Sequence, residues 1–125
     1  MTTREQVVNR RLTKRFIDTS PRNIRLIPYY RLEDDMGGWR YVKGDIRPTQ
    51  TFRFIESGNR GTNAATNATG TDGILREIEF EMVGEHCVDV TLYDRFTYEG
   101  VEYEVVQIWP DNGWEKRASV VRRAT

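Results

Sequence analysis

The stretch that decides the fold is DRFTYEGVEYEVVQIWPDNGWEKRASVV, residues 94–121. Within it, Val101, Tyr103 and Val105 alternate with acidic or polar residues, which is the two-residue period of a strand with one buried face. A Glu-Gly pair precedes this run and Asp-Asn-Gly at 111–113 follows it, and both are signals for tight hairpin turns. The stretch therefore predicts three successive antiparallel strands.

Upstream of this stretch, two further segments carry an apolar residue at every second position. They comprise Ile78, Phe80 and Met82 and then Val88, Val90 and Leu92. In the first segment the intervening residues are all acidic, namely Glu77, Glu79 and Glu81. The alternation predicts strands with one face toward the core and an acidic face toward water.

The N-terminal half shows the same pattern more weakly. Apolar residues at even positions predict a strand over 24–32, and Asp-Met-Gly-Gly at 35–38 predicts a turn into a return strand over 39–43. A short strand is expected over 51–55. We therefore predict an all-β chain, a small antiparallel β-barrel of about six to seven strands with an N-terminal arm and one long inter-strand loop.

The length of 125 residues suits one domain with one core. We expect residues 23–125 to form the barrel and residues 1–22 to form a basic arm. In the arm, Val8, Leu12 and Phe16 stand four apart, which predicts one to three helical turns with a narrow apolar stripe.

The predicted long loop lies within ESGNRGTNAATNATGTDG, residues 56–73, which contains no aliphatic residue larger than Ala and no aromatic residue. Loops longer than roughly 12 to 15 residues are usually functional or disordered. We therefore expect residues 57–73 to form a flexible projection.

The charges are balanced overall but not along the chain, which has nineteen basic and nineteen acidic residues. Residues 4–31 hold eight basic residues against two acidic ones, and residues 77–104 hold nine acidic residues against one basic. If these segments lie on different faces, copies of the chain can stack head to tail with opposite charges meeting. Solvated strand faces beside a loose basic arm would give the same pattern.

No catalytic, cofactor or metal site is predicted. The single histidine, His86, adjoins the single cysteine, Cys87, and neighbours on a strand point to opposite faces, so they form no dyad. Two such ligands fall short of the about four that structural zinc requires. The carboxylates of the Glu77–Glu81 run suit acid–base work or a hard cation, but exposed alternation produces the same spacing.

Two further binding classes find little support. The glycines of the loop fit neither the P-loop nor the dinucleotide fingerprint. Aromatic residues beside arginines, as at 29–31 and 52–54, resemble a stacking surface for single-stranded nucleic acid, yet they also suit a core. No run approaches the roughly 18 apolar residues of a membrane span, and a membrane role is not expected.

Three segments give the chain a resemblance to a known family. They are LTKRFIDTSPRNIRLIPYYR at 12–31, RPTQTFRFIES at 47–57, and the run from DGILREIEFEM to RASVVRR at 72–123. In their order of patterned strands they resemble the head-closure, or head-to-tail stopper, proteins of long-tailed bacteriophages, especially phages of actinobacteria. The resemblance covers roughly residues 10–123.

The resemblance implies a structural, non-enzymatic protein of the virion neck, assembled in the host cytoplasm. Such a protein forms a homo-oligomeric ring between the portal–adaptor ring and the tail proteins, joins head to tail, and helps to retain DNA that passes through its channel without sequence-specific binding. Another neck role, such as adaptor or tail terminator, stays open. The alternative from a different class is a small nucleic-acid-binding barrel that uses the basic residues of 4–31.

The resemblance also implies which residues make contacts in the ring. The loop that enters the channel or touches a neighbouring subunit would comprise Ser57, Gly58, Asn59, Arg60, Gly61, Thr62, Asn63, Asn67, Gly70, Thr71, Asp72 and Gly73. The arm that contacts an adjoining ring would use Arg10, Arg11, Leu12, Lys14, Arg15 and Phe16. The Asn, Thr, Ala and Gly residues of the loop supply no large side chain to block a channel, so any gate would need several copies to converge.

Overall fold

The computed structural model describes residues 3–33, 35–56 and 67–123. One helix and ten strands lie within these ranges. The helix is α1 (Arg4–Asp18), and the strands are β1 (Arg22–Ile24), β2 (Tyr29–Glu33), β3 (Trp39–Lys43), β4 (Gln50–Glu56), β5 (Asn67–Thr69), β6 (Leu75–Glu77), β7 (Phe80–Glu85), β8 (Arg95–Tyr98), β9 (Val101–Ile108) and β10 (Glu115–Arg122).

Six of the strands form an antiparallel sheet in the order β1-β4-β7-β10-β9-β8. The sheet curls until its two edges meet, because Ile27, just after β1, pairs with Arg95 at the start of β8. These two residues exchange backbone N–H to O=C hydrogen bonds of 2.8 and 2.9 Å. The result is a nearly closed six-stranded barrel, which confirms the fold class predicted from the sequence.

The core of the barrel follows the predicted alternation. Met82, Val105 and Val120 are fully buried in one cluster with Phe52 and Phe96. The partly buried aromatic rings of Phe54, Phe80 and Tyr103 pack against this cluster. The ring centroids of Phe54 and Phe80 lie 4.4 Å apart, and those of Phe96 and Tyr103 lie 5.3 Å apart. Phe52 and Phe54 are therefore core residues rather than a stacking surface for nucleotides.

The two hairpins predicted from residues 94–121 are present. Strand β8 pairs with β9 around a turn in which Glu99 and Gly100 have φ values of 51° and 78°. Positive φ at both central residues is the requirement of a type I′ turn, whose twist matches that of the flanking strands. Strand β9 also pairs with β10, but residues 109–114 connect them, a longer loop than the tight Asp-Asn-Gly turn that the sequence predicted.

The predicted continuation of strand alternation through Val88, Val90 and Leu92 is wrong. The chain turns twice in this region, burying Val88 and Val90 but leaving Leu92 exposed. The reason is a local polar contact, in which the carboxylate of Asp94 accepts hydrogen bonds from both the N–H and the hydroxyl of Thr91. This contact closes a turn where alternation suggested a strand.

The strand predicted over 24–32 is divided in two. Ile24, Leu26 and Pro28 are buried in the barrel, as the pattern predicted, whereas Tyr30 and Leu32 are exposed. Pro28 has no N–H for a continuous ladder, and after it the chain leaves the barrel wall. Strands β2 and β3 then form a separate two-stranded hairpin.

The N-terminal segment forms a longer helix than predicted. Helix α1 spans fifteen residues and begins with a capping box between Thr3 and Gln6. It packs against β4 and β7 through Thr13 and Ile17, which are buried. The stripe of Val8, Leu12 and Phe16 that predicted the helix lies on a different side of it and is largely exposed.

Candidate functional site

A buried carboxylate lies at the centre of the side-chain network outside the barrel. Glu104 points away from the core because its neighbour Val105 points into it, yet its side chain is 0% exposed. Its oxygens accept hydrogen bonds from the guanidinium groups of Arg95 and Arg123, each at 3.2 Å. Two cations thus compensate one buried negative charge, which an isolated carboxylate in this position would not tolerate.

The same carboxylate binds the C-terminal part of the predicted loop. Thr71 donates its backbone N–H to Glu104 Oε1 at 3.0 Å and its hydroxyl to Oε2 at 2.7 Å. Glycine at position 70 leaves room for this approach, because a Cβ there would overlap Glu104 Oε1 and displace the carboxylate. We call this set, comprising Gly70, Thr71, Arg95, Glu104 and Arg123, the loop anchor.

The chain around the loop anchor forms a small hairpin of strands β5 and β6. Its turn is held by Asp72, whose carboxylate accepts from the N–H of Ile74 at 3.0 Å and pairs with Arg76 at 2.7 Å. The hydrogen bond from Arg76 is the largest cause that lowers the pKa of Asp72, to about 2. The turn is therefore charge-stabilised at neutral pH.

The structure places the predicted loop residues in two groups. Ser57, Gly58, Asn59, Arg60, Gly61, Thr62 and Asn63 lie outside the described residues. Asn67 belongs to β5, and Gly70, Thr71, Asp72 and Gly73 form the turn beside the loop anchor. The part of the predicted projection from 67 to 73 thus folds back onto the barrel, because a glutamate from the distant strand β9 binds it.

The predicted arm residues lie on a helix that is fixed to the barrel. Arg10 Nε donates to the carbonyl oxygen of Gly113 at 2.9 Å. Arg53 of β4 donates to the carbonyl oxygen of Phe16 at 2.9 Å and lies 4.0 Å from the centroid of its ring. Lys14 pairs with Asp18 on the exposed side. The segment is thus a docked helix, with Arg11, Leu12 and Arg15 facing solvent.

The predicted acidic face is largely neutralised. Glu81 is only 4% exposed and faces Arg117 at 3.8 Å. Among the described residues, ion pairs of the segment 77–104 involve Glu81, Asp89, Asp94, Glu102 and Glu104. Three of the arginines involved come from outside that segment, so a count of charge along the sequence overstated the acidic surface.

The β2–β3 hairpin also contributes to the surface. The alternation of the sequence had placed its residues Tyr30 and Leu32 in the core, but both are exposed. Its base is held by Arg95, which lies 3.8 Å from the ring centroid of Tyr29, and by an edge contact of 5.2 Å between Tyr41 and Tyr93. Tyr93 adopts a φ of 72°, which is rare for a bulky residue. The hairpin therefore leaves the barrel in a fixed direction.

The residues with potential chemistry are not grouped into a site. Cys87 is exposed in the turn after β7, and the buried Nδ1 atom of its neighbour His86 has no hydrogen-bond partner among the described residues. Within the described ranges, no three His, Cys, Asp or Glu side chains come close enough together to hold a metal ion. In the part of the chain that the structure describes, no helix is long and apolar enough to cross a membrane.

Comparison with known proteins adds no assignment. No protein-family model and no curated protein sequence matches the chain.

The loop anchor makes a testable contribution to stability. Changing Glu104→Ala removes the carboxylate shared by the half-buried Arg95 and Arg123 and detaches Thr71, so we expect the free energy of unfolding to fall by about 3 to 5 kcal/mol. Urea unfolding followed by circular dichroism measures this change. The control is Glu102→Gln. Glu102 also pairs with Arg123, but its side chain is 45% exposed, so loss of this ion pair should lower the free energy of unfolding by about 1 kcal/mol or less. Equal losses for the two variants would contradict the assigned role of Glu104.

The Asp72 turn makes a testable contribution to pH dependence. Because the pKa of Asp72 is lowered from 3.8 to about 2, its stabilising effect is present above pH 3.8 and is lost as the pH falls through about 2. A carboxyl-carbon NMR titration should show the low pKa in the wild type and its return toward 3.8 in Arg76→Gln. Arg122→Gln, a nearby change that leaves the pair intact, should not move it. An unchanged pKa in Arg76→Gln would refute the pairing.

Proposed function

We propose that the chain is a structural protein of a bacteriophage neck, a head-to-tail stopper that assembles as a ring between the portal–adaptor ring and the tail. In this role it joins the filled head to the tail and helps to retain DNA. The proposal rests on the resemblance of residues 10–123 to that family and on the small antiparallel barrel that the resemblance implies.

The observation that carries the proposal is the distribution of exposed apolar side chains. They are concentrated on elements outside the barrel wall: helix α1, the β2–β3 hairpin and the β5–β6 hairpin, where Ile74 and Leu75 are exposed. Each element is fixed to the barrel by specific contacts, so its direction is set before any partner binds. Rigid elements that present apolar residues are typical of subunits that assemble with other proteins.

The long loop is the element we assign to the channel. Ten residues, 57–66, connect β4 to β5, and a segment of that length spans at most about 17 Å out and back when fully extended. Arg60 apart, these residues have small side chains, so the gate would form from the backbones of several copies that converge on assembly.

Replacement of residues 58–66 tests this role. A shortened Gly-Ser segment should leave the unfolding transition unchanged, because β4 and the loop anchor remain, but should give heads that leak DNA or fail to join tails. A Gly-Ser segment of the original length is the matched control, and it should preserve DNA retention if converging backbones form the gate. DNA release from assembled heads and infectivity are the measurements. Full infectivity and DNA retention with the shortened segment would remove the gating role.

A small nucleic-acid-binding barrel is the second candidate, and the solvent-facing Arg11 and Arg15 of α1 favour it. If this alternative holds, the affinity for single-stranded DNA falls steeply as the salt concentration rises. The double variant Arg11→Gln with Arg15→Gln should then release about one to two fewer counterions on binding, which lowers the slope of log affinity against log salt concentration. Fluorescence anisotropy with labelled DNA at several salt concentrations measures both effects. Absence of binding at low salt would exclude this candidate.

A further inference from the structure

The outward side of α1 carries an apolar stripe with a basic border. Leu12 is 55% exposed, and Val8 and Phe16 on the same side are also exposed. Arg11 and Arg15 follow the stripe at the spacing of one helical turn and face solvent. This side of the helix therefore combines apolar area with positive charge, and we call it the α1 stripe.

The tip of the β2–β3 hairpin has the opposite character. Glu33 is the last residue of β2, and Asp35 lies in the turn that follows; both are exposed. Beside them, Met36 is 94% exposed, and Trp39 at the start of β3 stays 52% exposed although Arg31 lies over its ring and Tyr41 packs against its edge. A half-exposed Trp and an exposed Met next to acidic side chains have the composition of a protein-binding anchor.

The two surfaces match in charge and chemistry. The hairpin tip exposes acidic and apolar side chains, and the α1 stripe exposes apolar side chains bordered by basic ones. A two-stranded hairpin is only marginally stable alone, so it gains from a surface to pack against.

The two surfaces leave the barrel at different places. Helix α1 packs over β4 and β7, whereas the hairpin is anchored at the seam between β1 and β8 through Tyr29 and Arg95. A contact between them therefore joins two copies. Because the contact uses a different surface on each copy, it leaves one of each surface open and propagates from copy to copy, and it closes into a ring when the rotation between copies returns to the first one.

We infer that, in the assembled protein, the tip of the β2–β3 hairpin of one copy docks on the α1 stripe of the next copy. Glu33 and Asp35 meet Arg11 and Arg15, and Met36 and Trp39 pack against Leu12. This inference deepens the proposed function, because it names the contact from which the ring is built.

A charge exchange tests the electrostatic part of the contact. Sedimentation velocity of the full chain, at high concentration and low salt, reports self-association. The variant Arg11→Glu with Arg15→Glu, and the variant Glu33→Lys with Asp35→Lys, should each weaken self-association by about tenfold or more. A chain that carries all four changes should recover it. Arg122→Glu and Asp45→Lys, which reverse exposed charges elsewhere, serve as matched controls.

Cysteine cross-linking tests the location of the contact. In a Cys87→Ser background, one chain carries Leu12→Cys and a second chain carries Met36→Cys. Oxidation of the mixture should give a disulfide-linked dimer, and neither chain alone should give one. A chain with both cysteines should give a ladder of covalent oligomers. Circular dichroism of each variant confirms that it is folded.

The outcomes separate this inference from the proposed function. If the wild type self-associates or binds heads that lack the protein, but the Leu12→Cys and Met36→Cys chains do not cross-link, the inference is overturned and the neck function stands. If the wild type neither self-associates at high concentration nor binds such heads, both are overturned. Cross-linking with loss of association after charge reversal and recovery in the exchanged chain supports the inference.

Discussion

The arrangement outside the barrel depends on one buried carboxylate. Glu104 is fully excluded from water, and Arg95, Arg123 and Thr71 donate hydrogen bonds to its carboxylate. Because a buried charge is stable only when it is paired, this glutamate draws together strand β8, the end of β10 and the turn at Thr71. The C-terminal end of the predicted loop, at Thr71, is consequently fixed to strand β9. The β5–β6 hairpin covers the barrel wall at this side.

Arginines repeat this principle around the molecule. Arg47 binds the buried Asp94 at 3.2 Å, Arg117 faces Glu81, and Arg53 holds the C-terminal end of α1. Each contact joins segments that lie far apart in the sequence. The planar guanidinium group, with five donors, suits this purpose because it can satisfy a carboxylate and a carbonyl group together. A chain with balanced charge is thereby held by internal pairing and does not present one acidic face.

These contacts give the molecule a rigid body with three directed elements. Helix α1, the β2–β3 hairpin and the β5–β6 hairpin all expose apolar residues, and each is fixed at its base. A subunit of this form loses little conformational entropy when it assembles, because its binding elements are already placed. The proposed neck function needs such a subunit.

The sequence by itself determined the barrel, both C-terminal hairpins and the buried identity of residues such as Met82 and Val105. These features follow from the two-residue period and from turn residues, which are local properties. Only the tertiary structure decided that α1 docks through Ile17, that the β2–β3 hairpin leaves the wall, and that Glu104 is buried. A period shows which residues share a face, but it does not show what covers that face. That depends on the arginines and turns that the fold brings from distant parts of the chain.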